Sequence, residues 1–220
     1  MSEQVPKADQ DFLRILREDR LVSVIRAGSI TNPTGIADAL ATAGIRCVEF
    51  TLTTPGALEA ITEATKTDAI VGAGSILDRT QATEAVAAGA RFLVSPALRT
   101  DLVTVAREHG IPVVLGAFTP TEVADGMEAE ATALKLFPAR AGEAAYVRDL
   151  LGPLPQARLI PSGGIGPDDV ASFLDAGAVA VYAGSSLAPP AAIESGNLHE
   201  ITKRADRFRV ALETGAARST

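Results

Sequence analysis

The sequence is poor in the residues on which several kinds of protein depend. Its 220 residues include one cysteine, Cys47, two histidines and no tryptophan. A single cysteine cannot form an internal disulfide, which argues against a disulfide-stabilised secreted scaffold and fits a reducing cytoplasm. The two histidines lack the spacing of zinc sites, so we expect no histidine-bound metal and no cofactor.

Positive charge and long apolar runs are also scarce. The 20 lysines and arginines are outnumbered by 27 aspartates and glutamates, which gives a net charge of −7 without a basic stripe. Nucleic acid and anionic membrane surfaces are therefore poor partners. No apolar run is long enough to cross a bilayer, and residues 1–10 lack the apolar core of a signal peptide. These features predict a cytoplasmic protein with no membrane or nucleic-acid partner.

The abundant residues are small and aliphatic, and they recur in a regular pattern. Short apolar runs alternate with segments of helical periodicity, several of which begin at a capping residue such as Asn32, Asp78 or Thr119. The eight runs predicted as strands cover residues 21–25, 45–52, 69–74, 91–96, 111–116, 131–138, 157–161 and 178–183. Repeated alternation of strand and helix implies a parallel sheet.

Eight strand–helix units in a chain of this length predict a single-domain (β/α)₈ TIM barrel. An extra N-terminal helix is expected over residues 11–18, and residues 1–10 and 215–220 are expected to be frayed tails. A doubly wound open sheet is the alternative. It usually needs fewer strands, and no G-x-G-x-x-G motif follows the first strand here.

The sixth predicted strand contains a charge that its apolar neighbours do not explain. Lys135 lies between Leu134 and Leu136, and a lysine is almost never fully buried without a partner. Side chains alternate along a strand, so Lys135 points into the barrel if its two leucine neighbours contact the helices. The same alternation turns Glu49, in the second strand, inward. The expected inward sets are Cys47, Glu49 and Thr51 on the second strand and Ala133, Lys135 and Phe137 on the sixth.

A buried lysine beside a carboxylate suits carbonyl chemistry. Burial disfavours the ammonium form, and the neutral amine is the form that attacks a carbonyl carbon to give a Schiff base. Glu49 is placed to move protons while that adduct forms and while a carbon–carbon bond breaks. A structural ion pair inside the barrel is the simpler alternative.

The ends of the seventh and eighth strands carry a second set of residues. Ser162, Gly163 and Gly164 follow the seventh strand, and Gly184 and Ser185 follow the eighth. Glycine leaves backbone N–H groups open to close approach, and the loops after these two strands are the habitual phosphate site of a TIM barrel. A Ser-Gly-Gly string alone is usually a simple turn, but both strand ends together predict phosphate binding.

With these residues in place, the chain resembles the class I 2-keto-3-deoxy-6-phosphogluconate (KDPG) aldolases, a family that includes 4-hydroxy-2-oxoglutarate (KHG) aldolase. The resemblance spans about residues 21–189. It is carried by VEFTL (48–52), VGAGSIL (71–77), VSP (94–96), LKLFPA (134–139), PSGGI (161–165) and AGS (183–185). It implies a Schiff base on Lys135, general acid/base catalysis by Glu49, and a homotrimer.

The resemblance also implies which residues surround the substrate. The pyruvate part of the site would be lined by Ser75, Pro96, Phe137 and Ser162, and the phosphate would be bound by Gly163, Gly164, Gly184 and Ser185.

Two departures from the family pattern concern the ends of the substrate. Many members have an arginine where this chain has Thr53, and that arginine helps to hold the keto-acid carboxylate. Arg26, after the first strand, resembles an arginine of the related 6-phosphogalactonate aldolases and is the candidate substitute. The usual Gly-Gly-Ser-Trp is replaced by Ala183-Gly184-Ser185-Ser186.

We therefore expect a lyase that takes a small anionic keto acid. It would cleave KDPG, or a close 2-keto-3-deoxy acid, to pyruvate and glyceraldehyde 3-phosphate, as in the Entner–Doudoroff branch of carbohydrate metabolism. A 6-phosphogalactonate or 4-hydroxy-2-oxoglutarate substrate is the near alternative. A phosphate-binding isomerase or epimerase barrel, or a non-catalytic barrel that binds a phosphometabolite, is more remote.

Overall fold

Eight parallel strands form a barrel in the computed structural model, which describes residues 6–216. The strands are β1 Leu21–Ile25, β2 Cys47–Thr51, β3 Ile70–Gly74, β4 Leu93–Val94, β5 Val113–Ala117, β6 Ala133–Leu136, β7 Leu159–Pro161 and β8 Val181–Ala183. Their order in the sheet is β7-β6-β5-β4-β3-β2-β1-β8. A parallel bridge between Ser162 and Tyr182 joins the two ends of the sheet. The predicted (β/α)₈ barrel is confirmed, and each strand overlaps the run predicted for it.

Helices lie between the strands and at both ends of the chain. They are α1 Lys7–Asp19, α2 Pro33–Thr42, α3 Ala57–Ala64, α4 Arg79–Ala87, α5 Asp101–His109, α6 Pro120–Glu128, α7 Glu143–Leu151, α8 Val170–Asp175, α9 Pro190–Ser195 and α10 Leu198–Ala216. The side chains of Asn32, Asp78 and Thr119 accept hydrogen bonds from backbone N–H groups of the first turns of α2, α4 and α6, as their sequence positions predict. None of the described helices is long and apolar enough to cross a membrane.

The ends of the chain differ from the sequence expectation. Helix α1 begins at Lys7, so residues 7–10, expected in a frayed tail, are helical. Helix α10 likewise continues to Ala216. Residues 1–5 and 217–220 of the two expected tails lie outside the described part of the chain. The six-residue helix α9 was not predicted, because Pro190 to Ser195 is too short to show a helical period.

Helix α1 covers the N-terminal end of the barrel. Near its start, Asp9 accepts a 3.0 Å hydrogen bond from the hydroxyl of Thr132, just before β6. At its end, Asp19 accepts a 2.9 Å bond from the backbone N–H of Arg46, just before β2. The apolar face of the helix packs on the lumen side chains, with Phe12 and Phe92 ring centroids 5.0 Å apart. Solvent therefore reaches the lumen from the other end, where the strands finish.

The strands divide the apolar residues into an inner and an outer layer. Cys47 and Ala133 belong to the inner cluster, which fills the lumen. The outer cluster, between strands and helices, contains Val48, Phe50, Leu134 and Leu136. This division matches the alternation predicted for β2 and β6. Phe137 departs from it: it follows the last residue of β6 and is 37% exposed.

Candidate active site

Lys135 and Glu49 meet inside the barrel. Strands β2 and β6 are four places apart in a ring of eight, so their inward side chains face each other across the lumen. The Nζ atom of Lys135 lies 3.4 Å from each carboxylate oxygen of Glu49. Glu49 is 0% exposed and Lys135 is 5% exposed. The shared interior expected for these two residues is therefore present.

The surroundings of Glu49 shift the pKa of its carboxyl toward the range in which it can both accept and donate a proton. Burial raises the pKa of the Glu49 carboxyl above its ordinary value, while the charge and hydrogen bond of Lys135 offset part of that rise. A raised carboxyl pKa suits an acid/base group that works near neutral pH. Gly74 in β3 makes room for this carboxyl, since a Cβ atom at that position would overlap it.

Tyr182 is a third member of the site, and the sequence reasoning missed it. The Nζ atom of Lys135 lies over the Tyr182 ring, 4.5 Å from its centroid. The residue is 1% exposed, and its hydroxyl has no hydrogen-bond partner among residues 6–216. Burial first, and then the Glu49 charge, raise the pKa of the phenol well above its ordinary value, so Tyr182 stays neutral.

The aromatic face of Tyr182 gives the lysine nitrogen a second stabilising neighbour. A desolvated cation over an aromatic ring gains about 2 kcal/mol. The inward alternation of β8, applied to Ala180 and Tyr182, would have placed this ring in the lumen. A neutral aromatic residue within a strand, unlike an isolated charge, does not stand out from its apolar neighbours in the sequence.

The other predicted site residues follow strands at the same end of the barrel, because all eight strands are parallel. One residue, Ser162, is buried. Arg26, Thr53, Phe137, Gly164 and Ser185 are exposed, and Ser75, Pro96, Gly163 and Gly184 are half-buried. The structure thus gathers every predicted residue at or just above the lumen mouth.

The loops after β6, β7 and β8 are tied to one another. The backbone N–H of Ala139 donates a 2.7 Å hydrogen bond to the carbonyl of Ser162, and the hydroxyl of Ser186 donates a 2.6 Å bond to the carbonyl of Ile165. Gly163 packs against the ring of Phe137, which would lie 3.3 Å from a Cβ atom there. This bonded set of loops fixes the glycine positions relative to the strand that bears Lys135.

The side of the mouth formed by the ends of β1 and β2 contains hydroxyls and one arginine. The hydroxyl of Thr53 donates to that of Thr51 at 3.2 Å, and the Thr51 hydroxyl donates to the carbonyl of Ile25 at 3.3 Å. Arg26 forms no ion pair with any residue of the described chain, yet its charge acts to lower the pKa of Glu49, after the larger effects of burial and of Lys135. Its guanidinium is available to an anion at this side.

Rival sites lack suitable chemistry. Cys47 lies in the lumen, where burial raises the pKa of its thiol far above the usual range, so it is not a nucleophile. The part of the chain that the structure describes has no group of three His, Cys, Asp or Glu side chains able to hold a metal. A cavity of about 480 Å³ at the N-terminal end, near Asp9 and Arg158, contains none of the predicted site residues.

Comparison with known sequences adds a family assignment to this geometry. A family model described as KDPG and KHG aldolase matches residues 13–204. The KHG/KDPG aldolase of Escherichia coli K12 is 37% identical over 194 residues, which covers 87% of this chain and 91% of that protein. The 2-dehydro-3-deoxy-phosphogluconate aldolase of Dickeya dadantii is 36% identical over 192 residues, with 86% and 90% covered.

Solved structures agree with the sequence comparisons. The 2-keto-3-deoxy-6-phospho-gluconate aldolase of Zymomonas mobilis superposes with a TM-score of 0.80 at 29% identity, covering 89% of this chain and 94% of that one. The KDPG aldolase of Legionella pneumophila, solved with pyruvate captured as a covalent carbinolamine, gives a TM-score of 0.77 at 30% identity, covering 88% and 95%.

Proposed function

The chain belongs to the KDPG and KHG aldolase family, and we propose that it uses Lys135 and Glu49 to cleave KDPG to pyruvate and glyceraldehyde 3-phosphate. One observation supports this assignment of residues above the rest. The Lys135 amine and the Glu49 carboxylate lie 3.4 Å apart in a lumen that is closed at its other end by α1. A nucleophilic amine and a proton carrier are the two groups that a Schiff-base aldolase needs.

The reaction begins at the C2 ketone. The neutral amine of Lys135 attacks C2 and forms a carbinolamine, whose hydroxyl leaves as water to give an iminium ion. Glu49 supplies the proton for that departing water and is left as the carboxylate. The iminium is the electron sink for the next step, and the Tyr182 ring, 4.5 Å from Nζ, stabilises its positive charge.

Cleavage breaks the bond between C3 and C4. Glu49 draws the proton from the C4 hydroxyl by way of a water molecule, the C4–O bond becomes a carbonyl, and the C3–C4 electron pair moves into the iminium. Glyceraldehyde 3-phosphate leaves, and a neutral enamine remains on Lys135. Glu49 returns its proton to C3, and water hydrolyses the resulting pyruvate iminium to release pyruvate and the free amine.

The residues around the mouth hold the two ends of the substrate. In this proposal Ser75, Pro96, Phe137 and Ser162 surround the pyruvate portion. The phosphate binds to backbone N–H groups of the two glycine loops, those of Gly163, Gly164, Gly184 and Ser185. The hydrogen bonds that join these loops to the β6 end support a fixed distance between the phosphate and Lys135.

The residues near the expected carboxylate of the substrate favour a second candidate substrate of different stereochemistry. Thr53 stands where many relatives have an arginine, and Arg26, on that side of the mouth, forms no ion pair within residues 6–216. An arginine approaching from the end of β1 would meet the keto acid from a different direction. That observation favours testing 2-keto-3-deoxy-6-phosphogalactonate and 4-hydroxy-2-oxoglutarate beside KDPG.

A pyruvate-release assay on a panel of substrates tests the proposed activity. The panel contains KDPG, its galactonate epimer, 4-hydroxy-2-oxoglutarate and unphosphorylated 2-keto-3-deoxygluconate. We expect the highest kcat/KM with KDPG. A higher value with an unphosphorylated acid would overturn the substrate choice but keep the mechanism. No pyruvate from any of the four would favour an isomerase, an epimerase or a binding barrel.

Tyr182 provides a test of how the lysine cation is stabilised. Tyr182→Phe keeps the ring and removes the unpartnered hydroxyl, so we expect activity within about twofold of the native level. Tyr182→Leu removes the ring, and the enzyme-dependent exchange of pyruvate methyl hydrogens in D₂O should slow about 10- to 30-fold. Nuclear magnetic resonance measures this exchange without any aldehyde.

The two Tyr182 variants control for each other, because both remove the same hydroxyl. If exchange slowed equally in both variants, the hydroxyl rather than the ring face would be responsible for the effect. Native exchange in a folded Tyr182→Leu protein would show that the ring has no part in the chemistry.

We also propose that residues 1–220 act as one aldolase domain in a cytoplasmic homotrimer. The family resemblance supports the trimer, and one buried free cysteine suits a reducing compartment. Light scattering coupled to size-exclusion chromatography should give three times the chain mass of 22.7 kDa. A monomer or dimer mass would overturn the trimer without affecting the chemistry proposed for Lys135.

A further inference from the structure

Arg140 lies beside the glycine loop that follows β7. It occupies the short 3₁₀ turn Ala139–Ala141, five positions after Lys135 in the chain. Its guanidinium covers Gly164: a Cβ atom at Gly164 would come within 2.6 Å of Nη2 and 2.8 Å of Nε. Gly164 itself has a φ of +79°, a backbone conformation that favours glycine. The cation therefore sits directly on the backbone proposed to receive the phosphate.

The charge of Arg140 has no neutralising partner in the described part of the chain. No carboxylate within residues 6–216 forms an ion pair with it, whereas Arg99 and Arg204 pair with Asp101 and Glu200. Of the two acids that follow the glycine loop, Asp168 and Asp169, Asp169 accepts a 2.8 Å hydrogen bond from the N–H of Gly166. The side chain is exposed at the mouth, so an anion can reach it.

The backbone that carries Arg140 belongs to the same bonded set of loops as the glycines. The residue before it, Ala139, donates its N–H to the carbonyl of Ser162 at 2.7 Å, and the N–H of Ala141 donates to the carbonyl of Pro138 at 3.1 Å. The turn is thus fixed at both sides of Arg140. Because the backbone is already fixed, only the rotations of the Arg140 side chain are lost when its guanidinium binds an anion.

We propose that Arg140 determines specificity by binding the terminal phosphate of the substrate together with the Gly163–Gly164 backbone. A planar guanidinium matches a phosphate through two parallel charge-assisted hydrogen bonds. The ligand class is a phosphomonoester at the far end of a short keto acid. This inference rests on the proposed aldolase activity and adds to it the residue that separates phosphorylated from unphosphorylated substrates.

The test compares Arg140→Gln with Arg148→Gln, a matched change at an exposed arginine of α7. For KDPG, Arg140→Gln should lower kcat/KM about 10- to 100-fold, mainly through KM. For unphosphorylated 2-keto-3-deoxygluconate the same variant should stay within twofold of the native enzyme. Arg148→Gln should match the native enzyme with both substrates, and Arg140→Lys should recover part of the loss.

The outcomes separate this inference from the proposed activity. An equal loss with both substrates, or no loss with KDPG, would overturn the role of Arg140 and leave the aldolase assignment intact. Binding of inorganic phosphate, measured by calorimetry, gives a readout that needs no turnover. We expect the phosphate Kd to rise about 10-fold or more in Arg140→Gln. An unchanged Kd would contradict the proposal even if no substrate of the panel were cleaved.

Discussion

Replacing Lys135 with methionine should lower kcat by roughly 10⁴-fold or more, because the covalent pathway then has no nucleophile. Methionine retains an unbranched apolar stem of similar length, so the lumen stays filled. Removing one member of a buried ion pair costs about 3–5 kcal/mol if the other stays charged. Glu49 avoids much of that cost by taking up a proton, since burial already raises its pKa. The measurement is pyruvate release under saturating substrate.

A matched lysine controls for loss of charge alone. Lys66, after α3, has a 61% exposed side chain and pairs with exposed Glu63. Lys66→Met should keep native activity, because exposed ion pairs contribute little. Thermal unfolding of Lys135→Met should show a cooperative transition like that of the native enzyme. More than a few per cent of native kcat in folded Lys135→Met would exclude a covalent role for this amine.

Replacing Glu49 with glutamine should lower kcat by about 10²- to 10⁴-fold while leaving the lysine able to react with pyruvate. Glutamine has the same shape, so it fits the space that Gly74 leaves beside the carboxyl. It cannot accept the C4 proton or return one to C3. Glu84→Gln, at an exposed position of α4, is the matched control and should have native kcat. Native kcat in Glu49→Gln would assign the proton transfers to another group.

The pH dependence of kcat tests the role of Glu49 as a base. As the base for the C4 hydroxyl, Glu49 acts as the carboxylate, so kcat should fall when the pH drops through its pKa. Burial raises that pKa, so the fall should begin at a higher pH than for an ordinary carboxyl. The acidic limb should disappear in Glu49→Gln. A limb that persists unchanged would have to arise from a different residue.

The side-chain pattern of single strands was enough to predict much of this site. An isolated charge among Leu134 and Leu136 indicated that Lys135 faces the lumen, and the alternation of β2 gave Glu49 the same direction. Counting the strands then predicted the barrel, and a barrel makes the ends of all eight strands meet at one mouth. These features depend on local periodicity, which a sequence displays directly.

The parts that were missed depend on contacts between distant segments. Tyr182 is a neutral aromatic residue until its ring is placed under the Lys135 nitrogen, and Arg140 is an ordinary turn residue until the β6 loop bonds to Ser162. Gly74 is needed because a side chain there would overlap the carboxyl of Glu49, a residue of the neighbouring strand. Neither helix and strand propensity nor periodicity predicts such contacts. The contacts form between strands and loops that come together only when the barrel closes.

The direct test of a Schiff base on Lys135 is reduction by sodium borohydride in the presence of pyruvate. Borohydride converts the pyruvate iminium to a stable secondary amine, so activity should be lost only when pyruvate and borohydride are both present. Mass spectrometry of proteolytic fragments should find one pyruvate-derived adduct, on Lys135. Glu49→Gln should still be labelled at Lys135, more slowly, and Lys135→Met should not be labelled. Absence of the adduct from the native enzyme, or its presence on another lysine, would contradict the mechanism.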